Sequence, residues 1–306
     1  MCSSSPTAPK FHTLQENEIR VLYLEPGDFA EPLVGELKKA SILPDTSRQF
    51  PSRPHASVQY EAISYAWESL EKPHSIKIRN TGDIEITKSL FDILRHFRYV
   101  HRSRILWVDA ICIHQADISE RNNQVAIMAD IFSASLKVLV WLGAGASTDS
   151  LAFATIDVYT SLLNASGSEG TVDTSSSESN DSIDLETLRT ALYEYAGPHV
   201  SFRRNLSVKE DVVIATLISI FTIFEAKWFQ RLWVVQETDA GHNVAYFRGY
   251  HEMEPNELYG VLGFLQDNAT LIRSRGIRID CAALWHVLEH VTAYYRPSMH
   301  GGEIMF

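Results

Sequence analysis

Cysteine is scarce in this chain. Three in 306 residues (Cys2, Cys112 and Cys281), widely spaced, build neither a disulfide framework nor a zinc signature, and they suit a reducing compartment. Long apolar runs are missing too. The closest, VVIATLISIFTIF at 212–224, falls short of the about eighteen residues needed to cross a bilayer, so no membrane span is expected. Positive charge is in deficit: 27 Lys and Arg against 38 Asp and Glu leave a net charge of −11, and the cations are scattered. Phosphate backbones need a basic stripe, so nucleic acid is not expected as a partner. The opening MCSSSPTAPKFHTLQENEIR has no apolar core, so no secretory signal is expected. The expectation is a soluble, cytoplasmic protein.

What the chain does have is core material, with 45% apolar residues, enough for one large domain or one plus an appendage. Residues 1–17 read as a flexible lead, and 19–24 as a strand followed by a loop-rich stretch holding Pro26, Pro32, Pro44, Pro51 and Pro54. Residues 60–65 read as a strand, 76–78 and 84–86 as a hairpin across Gly82-Asp83, and 88–100 as a helix with Leu90, Ile93, Leu94 and Phe97 on one face. A further helix is expected at 150–163. The run ASGSEGTVDTSSSESNDS at 165–182 is acidic and nearly free of bulky apolar residues, which predicts a disordered insertion. Helices are expected at 185–195, 209–224, 228–238, 255–266 and 282–295, and a short strand at 244–247.

The stretch from Leu106 to Gly143 says most. A buried strand at 105–108 ends on Asp109, a polar loop follows, and Asp117 and Ser119 offer caps for a helix. Glu120 suits the positive helix end, and Val125, Met128, Ala129 and Phe132 recur at helical spacing. A second apolar strand at 137–142 completes a βαβ unit, which predicts parallel pairing. Ligands in such sheets sit beyond the carboxyl ends of strands, where Asp109 lies; the competing reading is that Asp109 only caps its loop. Glu120-Arg121 fits two readings, a guanidinium on a substrate phosphate or a salt bridge at the helix start. Gly143-Ala144-Gly145 follows a strand but lacks the rest of a phosphate loop and reads as a turn.

Near the end, helical spacing stacks Trp233 beside Glu237, four residues on. A carboxylate against an aromatic wall suits a developing oxocarbenium ion. An amphipathic core helix whose Glu237 pairs with an arginine is the competing reading. The H-V-L-E-H at 286–290 matches a zinc pattern, but only sixteen residues remain for the third ligand, so no metal is expected.

Three ordered blocks carry a resemblance. YEAISYAWE, LWVDAICIHQ with ERNNQVAIMADIF and VLVWLG, and KWFQRLWVVQE resemble the motifs of the fungal heterokaryon incompatibility (HET) domain. Two positions depart from that pattern: Glu68 stands where the family usually has Gly, and His114 where it usually has Asn. The resemblance covers roughly Tyr60 to Gly249, and the domain is expected over 18–250, with 251–306 a helical extension. Family members usually continue with a block resembling RDKVYALLGL. LYGVLGF at 258–264 lies too close to the last motif to be it, so the chain reads as compact or truncated.

The HET domain is in turn distantly similar to the Toll/interleukin-1 receptor (TIR) domain. This implies a flavodoxin-like α/β fold, a mostly parallel sheet flanked by helices. There an ISY-like first-strand motif, here Ile63-Ser64-Tyr65, accompanies a Trp and a Glu four residues apart, here Trp233 and Glu237. In the enzymatic branch that Glu cleaves the nicotinamide–ribose bond of NAD. The similarity implies Glu237 as the catalytic residue with Tyr65, Trp67 and Trp233 as pocket walls, and Asp109 at its strand end and Arg121 at the helix start complete the expected substrate-binding residues. NAD is then a substrate, with no cofactor. Two functions stay open: an enzyme that triggers programmed cell death in non-self recognition, or an interaction module of the same pathway; self-association and an incompatibility partner protein are expected. The expected architecture puts 60–65, 105–108 and 137–142 in one sheet, with Trp107, Ile111, Val138, Val140 and Trp141 buried.

Overall fold

A computed structural model describes residues 9–43, 54–67, 69–146, 149–166, 220, 222–231, 237, 243–258, 261 and 265. Its core is a ten-stranded mixed sheet. The strands are β1 (Glu18–Leu24), β2 (Val34–Leu43), β3 (His55–Ala56), β4 (Glu61–Tyr65), β5 (His74–Ile78), β6 (Gly82–Ile86), β7 (Arg104–Trp107), β8 (Lys137–Trp141), β9 (Val244–Arg248) and β10 (His251–Met253). Their order is β10-β9-β8-β4-β7-β1-β2-β5-β6, with β3 paired to β2. The helices are α1 (Lys88–Phe97), α2 (Asp109–Cys112), α3 (Ile118–Ala126), α4 (Met128–Ala134) and α5 (Asp149–Ser166).

The three expected strands share this sheet, and Trp107, Ile111, Val138, Val140 and Trp141 are all buried. The sheet is less parallel than expected. Its centre, β9-β8-β4-β7, is parallel, while β1 joins both β7 and β2 antiparallel and the β5–β6 and β9–β10 pairs are antiparallel. Nor do β7 and β8 pair with each other: β4 lies between them. The reason is legible in EAISY, where Ala62, Ile63, Ser64 and Tyr65 are all buried. A strand apolar on both faces belongs at the middle of a covered sheet.

Helices cover both faces. Trp107 meets Phe132 of α4, ring centroids 5.5 Å apart, while Arg104, three residues earlier and so on the opposite face, lies over Phe97 of α1. Leu90, Ile93, Leu94 and Phe97 form the buried side of α1, and Thr87 Oγ1 caps it by accepting from the Leu90 N–H at 3.2 Å. The chain from β4 thus crosses by α1 to β7 on one side, then by α3 and α4 to β8 on the other. The reversal makes β4 the switch point, where the carboxyl ends splay into a crevice.

Several expectations change. The loop-rich stretch contains β2; VGELKKASIL has two lysines and little β-branching, and its seven-residue register with β1 makes it a strand. The expected helix over 117–132 breaks at Ile127 (φ −105°, ψ 14°) into α3 and α4. Val125 and Ala129 are therefore exposed, and Gln124, Ile131 and Phe132 are the buried positions. The expected helix from 228 begins instead as a 3₁₀ turn, Lys227–Gln230, that ends in extended backbone at Arg231. The expected strand at 244–247 is β9, which lies inside the sheet, with β10 at the edge. The Gly143–Gly145 segment is a turn, as expected. It packs on Gly249, whose N–H donates to the Gly143 carbonyl at 2.9 Å, and a Cβ on Gly249 (φ +56°) would sit 2.9 Å from the Ala144 oxygen. The expected helix at 150–163 is α5, which runs on into the first two residues of the acidic insertion; the rest of that insertion, the helices expected at 185–195 and 282–295, most of 209–224 and the H-V-L-E-H motif lie outside the described residues.

One buried ion pair ties the N-terminal region to the crossover. Arg20, only 2% exposed, donates to both Glu120 oxygens at 2.6 and 2.8 Å, to the Cys112 carbonyl at 3.1 Å and to the His12 carbonyl. Asp117 caps α3 by accepting from the Glu120 N–H at 3.0 Å. The lead is thereby fastened from Pro9 onward: Lys10 N donates to the Thr81 carbonyl at 2.8 Å, and Phe11 stacks on His114. Burial pushes the Glu120 carboxyl up, but the Arg20 and His114 hydrogen bonds and the Arg20 charge outweigh it, so it lies below the ordinary glutamate value. A depressed folded-state value adds stability that is present above the ordinary range and lost as pH falls through the folded value. Glu120→Ala strands the buried guanidinium and should cost about 3–5 kcal/mol, read from the urea midpoint. An unchanged midpoint at pH 7 would refute the role assigned to the pair.

Candidate functional site

The site sits at the carboxyl ends of β4 and β7. Ser64 Oγ accepts from the Trp228 indole N–H at 2.6 Å and donates its own proton to Glu237 Oε2. Trp228 is held edge-on by Tyr246 of β9 and by Phe229, at centroid distances of 5.6 and 5.1 Å. Glu237 is 3% exposed, and Arg231 closes over it with Nη2 3.0 Å from Oε1 and Nη1 3.3 Å from Oε2. A buried carboxylate needs such partners, and here it has three hydrogen bonds.

Beside this chain of bonds is a recess of about 350 Å³ lined by Ala66, Trp67, Asp109, Lys227, Gln230 and Arg231. Asp109 opens α2 directly after β7, and its Oδ1 accepts from the Ala110 N–H at 2.7 Å. Burial and then the Glu237 charge push its carboxyl up to about 6, against the pull of the Ala110 N–H, Arg231 and a hydrogen bond from the Trp67 indole. Tyr65 is buried. Its hydroxyl has no hydrogen-bond partner, and desolvation and the Asp109 charge push it well above the ordinary phenol value, with Arg231 opposing.

Of the residues expected at a site, Trp67 and Asp109 line one recess, Tyr65 and Glu237 are coupled to Asp109 electrostatically, and Trp233 lies outside the described residues. Arg121 is elsewhere: exposed on α3, its guanidinium 3.5 Å from the Gln115 carbonyl, it does not line the recess. Both readings of Glu237 meet here, since it does pair with an arginine. Ser64, Trp228, Lys227, Gln230 and Arg231 were not singled out. All stand within the blocks read from the sequence, but a helical wheel over 228–238 hides a turn that breaks at Arg231.

The sequence profile described as Heterokaryon incompatibility protein (HET) matches residues 60–237, from the start of β4 to the buried glutamate. This chain belongs to the HET family. It is 27% identical over 220 residues to Heterokaryon incompatibility protein 6, OR allele, of Neurospora crassa, covering 68% of this chain and 31% of that protein. The chain therefore spans about a third of its relative. No solved structure matches it.

Within the HET domain, Glu68, one of the two departures from the family pattern, is outside the described residues. The other, His114, donates its backbone N–H to Glu120 at 2.7 Å and stacks its ring on Phe11. His114, Asp117 and Glu120 bring ligand-type atoms within 4.8 Å of one another, but Glu120 is committed to Arg20 and Asp117 to the helix cap. No helix among the described residues is long and apolar enough to cross a membrane.

Asp109 makes a stability prediction. Its folded-state value lies above the ordinary 3.8, so the fold binds this proton more tightly than the unfolded chain does. That stabilisation is fully present at pH below the ordinary range and lost as pH rises through about 6. Asp109→Asn should therefore be more stable than the parent at pH 8, by about 1–3 kcal/mol, with the gap shrinking as pH falls towards 4. Urea midpoints across that range check it, and a destabilised Asn variant at pH 8 would refute it.

Proposed function

We propose that this HET domain acts in heterokaryon incompatibility, the process its Neurospora relative is named for, and signals cell death in the cytoplasm by cleaving NAD. The recess at the switch point carries this reading. Trp67 offers a flat apolar face to a base or nicotinamide ring, and Lys227 and Arg231 offer cations to a pyrophosphate. Asp109 lines the recess, and Glu237 adds its negative field from behind Arg231, towards the place where an oxocarbenium ion would develop. In the reaction the C1′–N bond breaks and nicotinamide leaves with the electron pair. Water adds to C1′, and its proton is released through a carboxylate to solvent. The parallel β9-β8-β4-β7 core and the Ile63-Ser64-Tyr65 strand end support the TIR-like form of this reading.

A second reading, a non-enzymatic module that signals by self-association and by binding an incompatibility partner, is favoured by one observation. Glu237 is fully engaged by Ser64 and Arg231 and is not among the residues lining the recess. Incubating the purified chain with NAD and following nicotinamide by chromatography separates the two. The chain should release nicotinamide, and the combined Asp109→Asn and Glu237→Gln variant should lose about a hundredfold or more of that rate while still folded. Cell killing by a parent chain that releases no nicotinamide would leave the interaction module as the function.

A further inference from the structure

We infer that Asp109 is the carboxyl that meets the ligand at this recess, and that Glu237 is a positioning residue acting through Arg231. The inference rests on the NAD reading above and divides the labour within it.

The geometry separates the two acids. Asp109 lines the recess with Trp67, Lys227 and Arg231, whereas Glu237 does not. Glu237 has committed both oxygens inside the protein, Oε1 to Arg231 Nη2 and Oε2 to both Ser64 Oγ and Arg231 Nη1, which leaves at most about one of its four acceptor sites. Ser64 cannot release it easily, because its own oxygen is fixed by the Trp228 indole. The linked series Trp228, Ser64, Glu237, Arg231 runs from the core to the recess wall and holds the guanidinium facing the cavity. Freed from Glu237, the Arg231 side chain would regain its rotamers and lose the planar, bidentate clamp that orients it.

Asp109 has the opposite character. It accepts from the Ala110 N–H and the Trp67 indole, and a carboxylate has about four acceptor sites, so capacity remains for a ligand. Near it the Tyr65 hydroxyl is buried and without a hydrogen-bond partner, so the polar surroundings of this acid, unlike those of Glu237, are not fully satisfied within the protein. An acid raised by burial and by a neighbouring acid is the common signature of a working group. The charged and titratable groups around it are Glu237 and Arg231 from the segment after the 3₁₀ turn, Lys227 within that turn, Tyr65 at the end of β4, and Cys112 on its own helix.

The test uses the full 306-residue chain, ADP-ribose as the binding probe and NAD as the reactant. Asp109→Asn should cut nicotinamide release about a hundredfold without loss of melting temperature. Glu237→Gln should weaken ADP-ribose binding about tenfold in the parent background. In an Arg231→Met background it should weaken it no further, because its effect runs through the guanidinium. Glu237→Gln should also move the acid limb of the rate profile to lower pH, since one of the charges opposing Asp109 ionisation is gone; an unmoved limb would show that Asp109 is not the group whose ionisation the rate follows. Additive losses in the two backgrounds, or an Asp109→Asn chain that turns over at the parent rate, would overturn the inference. A parent chain that binds ADP-ribose with the same pattern of losses but releases no nicotinamide would sink the NAD reading alone. Failure of the parent to bind ADP-ribose at all would sink the inference.

Discussion

Burial of β4 on both faces governs this structure. Ala62 and Ile63 bring no polar side-chain group into the strand interior, Ser64 and Tyr65 bring one hydroxyl each, and the strand is hydrogen-bonded to β8 along its whole length. Parallel neighbours on both sides and helices on both faces are the arrangement in which such a strand leaves water. Everything that flanks β4 follows. The α1 crossover runs to one side and the α3–α4 crossover to the other, so the carboxyl end of β4 becomes the place where connections diverge and a recess opens. Arg20 and Glu120 then lock the second crossover to β1 and to the N-terminal segment.

Ser64 is where this apolar centre turns into chemistry. A hydroxyl at 2% exposure needs partners, and it finds the Trp228 indole on one side and the Glu237 carboxylate on the other. A buried carboxylate in turn requires a cation, which the chain supplies six residues earlier as Arg231. The residual negative field then falls on Asp109 at the neighbouring strand end and, together with burial, raises its carboxyl to about 6. One polar atom in the central strand thus leads by successive satisfaction to a titratable acid facing solvent-filled space. The Tyr65 hydroxyl is the step in this series left without a partner.

The expectations that held were those written in local periodicity or in short-range chemistry. The apolar runs of β4, β7 and β8, the four-residue stripe of α1, the Asp117 cap and the turn at Gly143 each depend on residues a few positions apart. Those that shifted depended on partners far away in sequence. VGELKKASIL became β2 because β1 was there to pair with, and the Val125 face of the crossover was lost where the helix breaks at Ile127 and α4 buries Ile131 and Phe132, the latter against Trp107. Arg121 and Glu120 show the same division. Adjacent in sequence, they point to different environments, Glu120 to a guanidinium a hundred residues away and Arg121 to the surface.

By itself the sequence determined an α/β core with its strands, the family through three ordered motif blocks, and the candidates Tyr65, Trp67, Asp109 and Glu237. Strand burial and motif chemistry are local properties of the chain. Tertiary structure decided that β4 separates β7 from β8, that the sheet is mixed, and that the acid lining the recess is Asp109 while Glu237 stands behind Arg231. Pairing partners, burial of a single carboxyl and the direction in which a guanidinium is held depend on which distant segments pack together, and hydrophobic spacing along one chain carries no record of that.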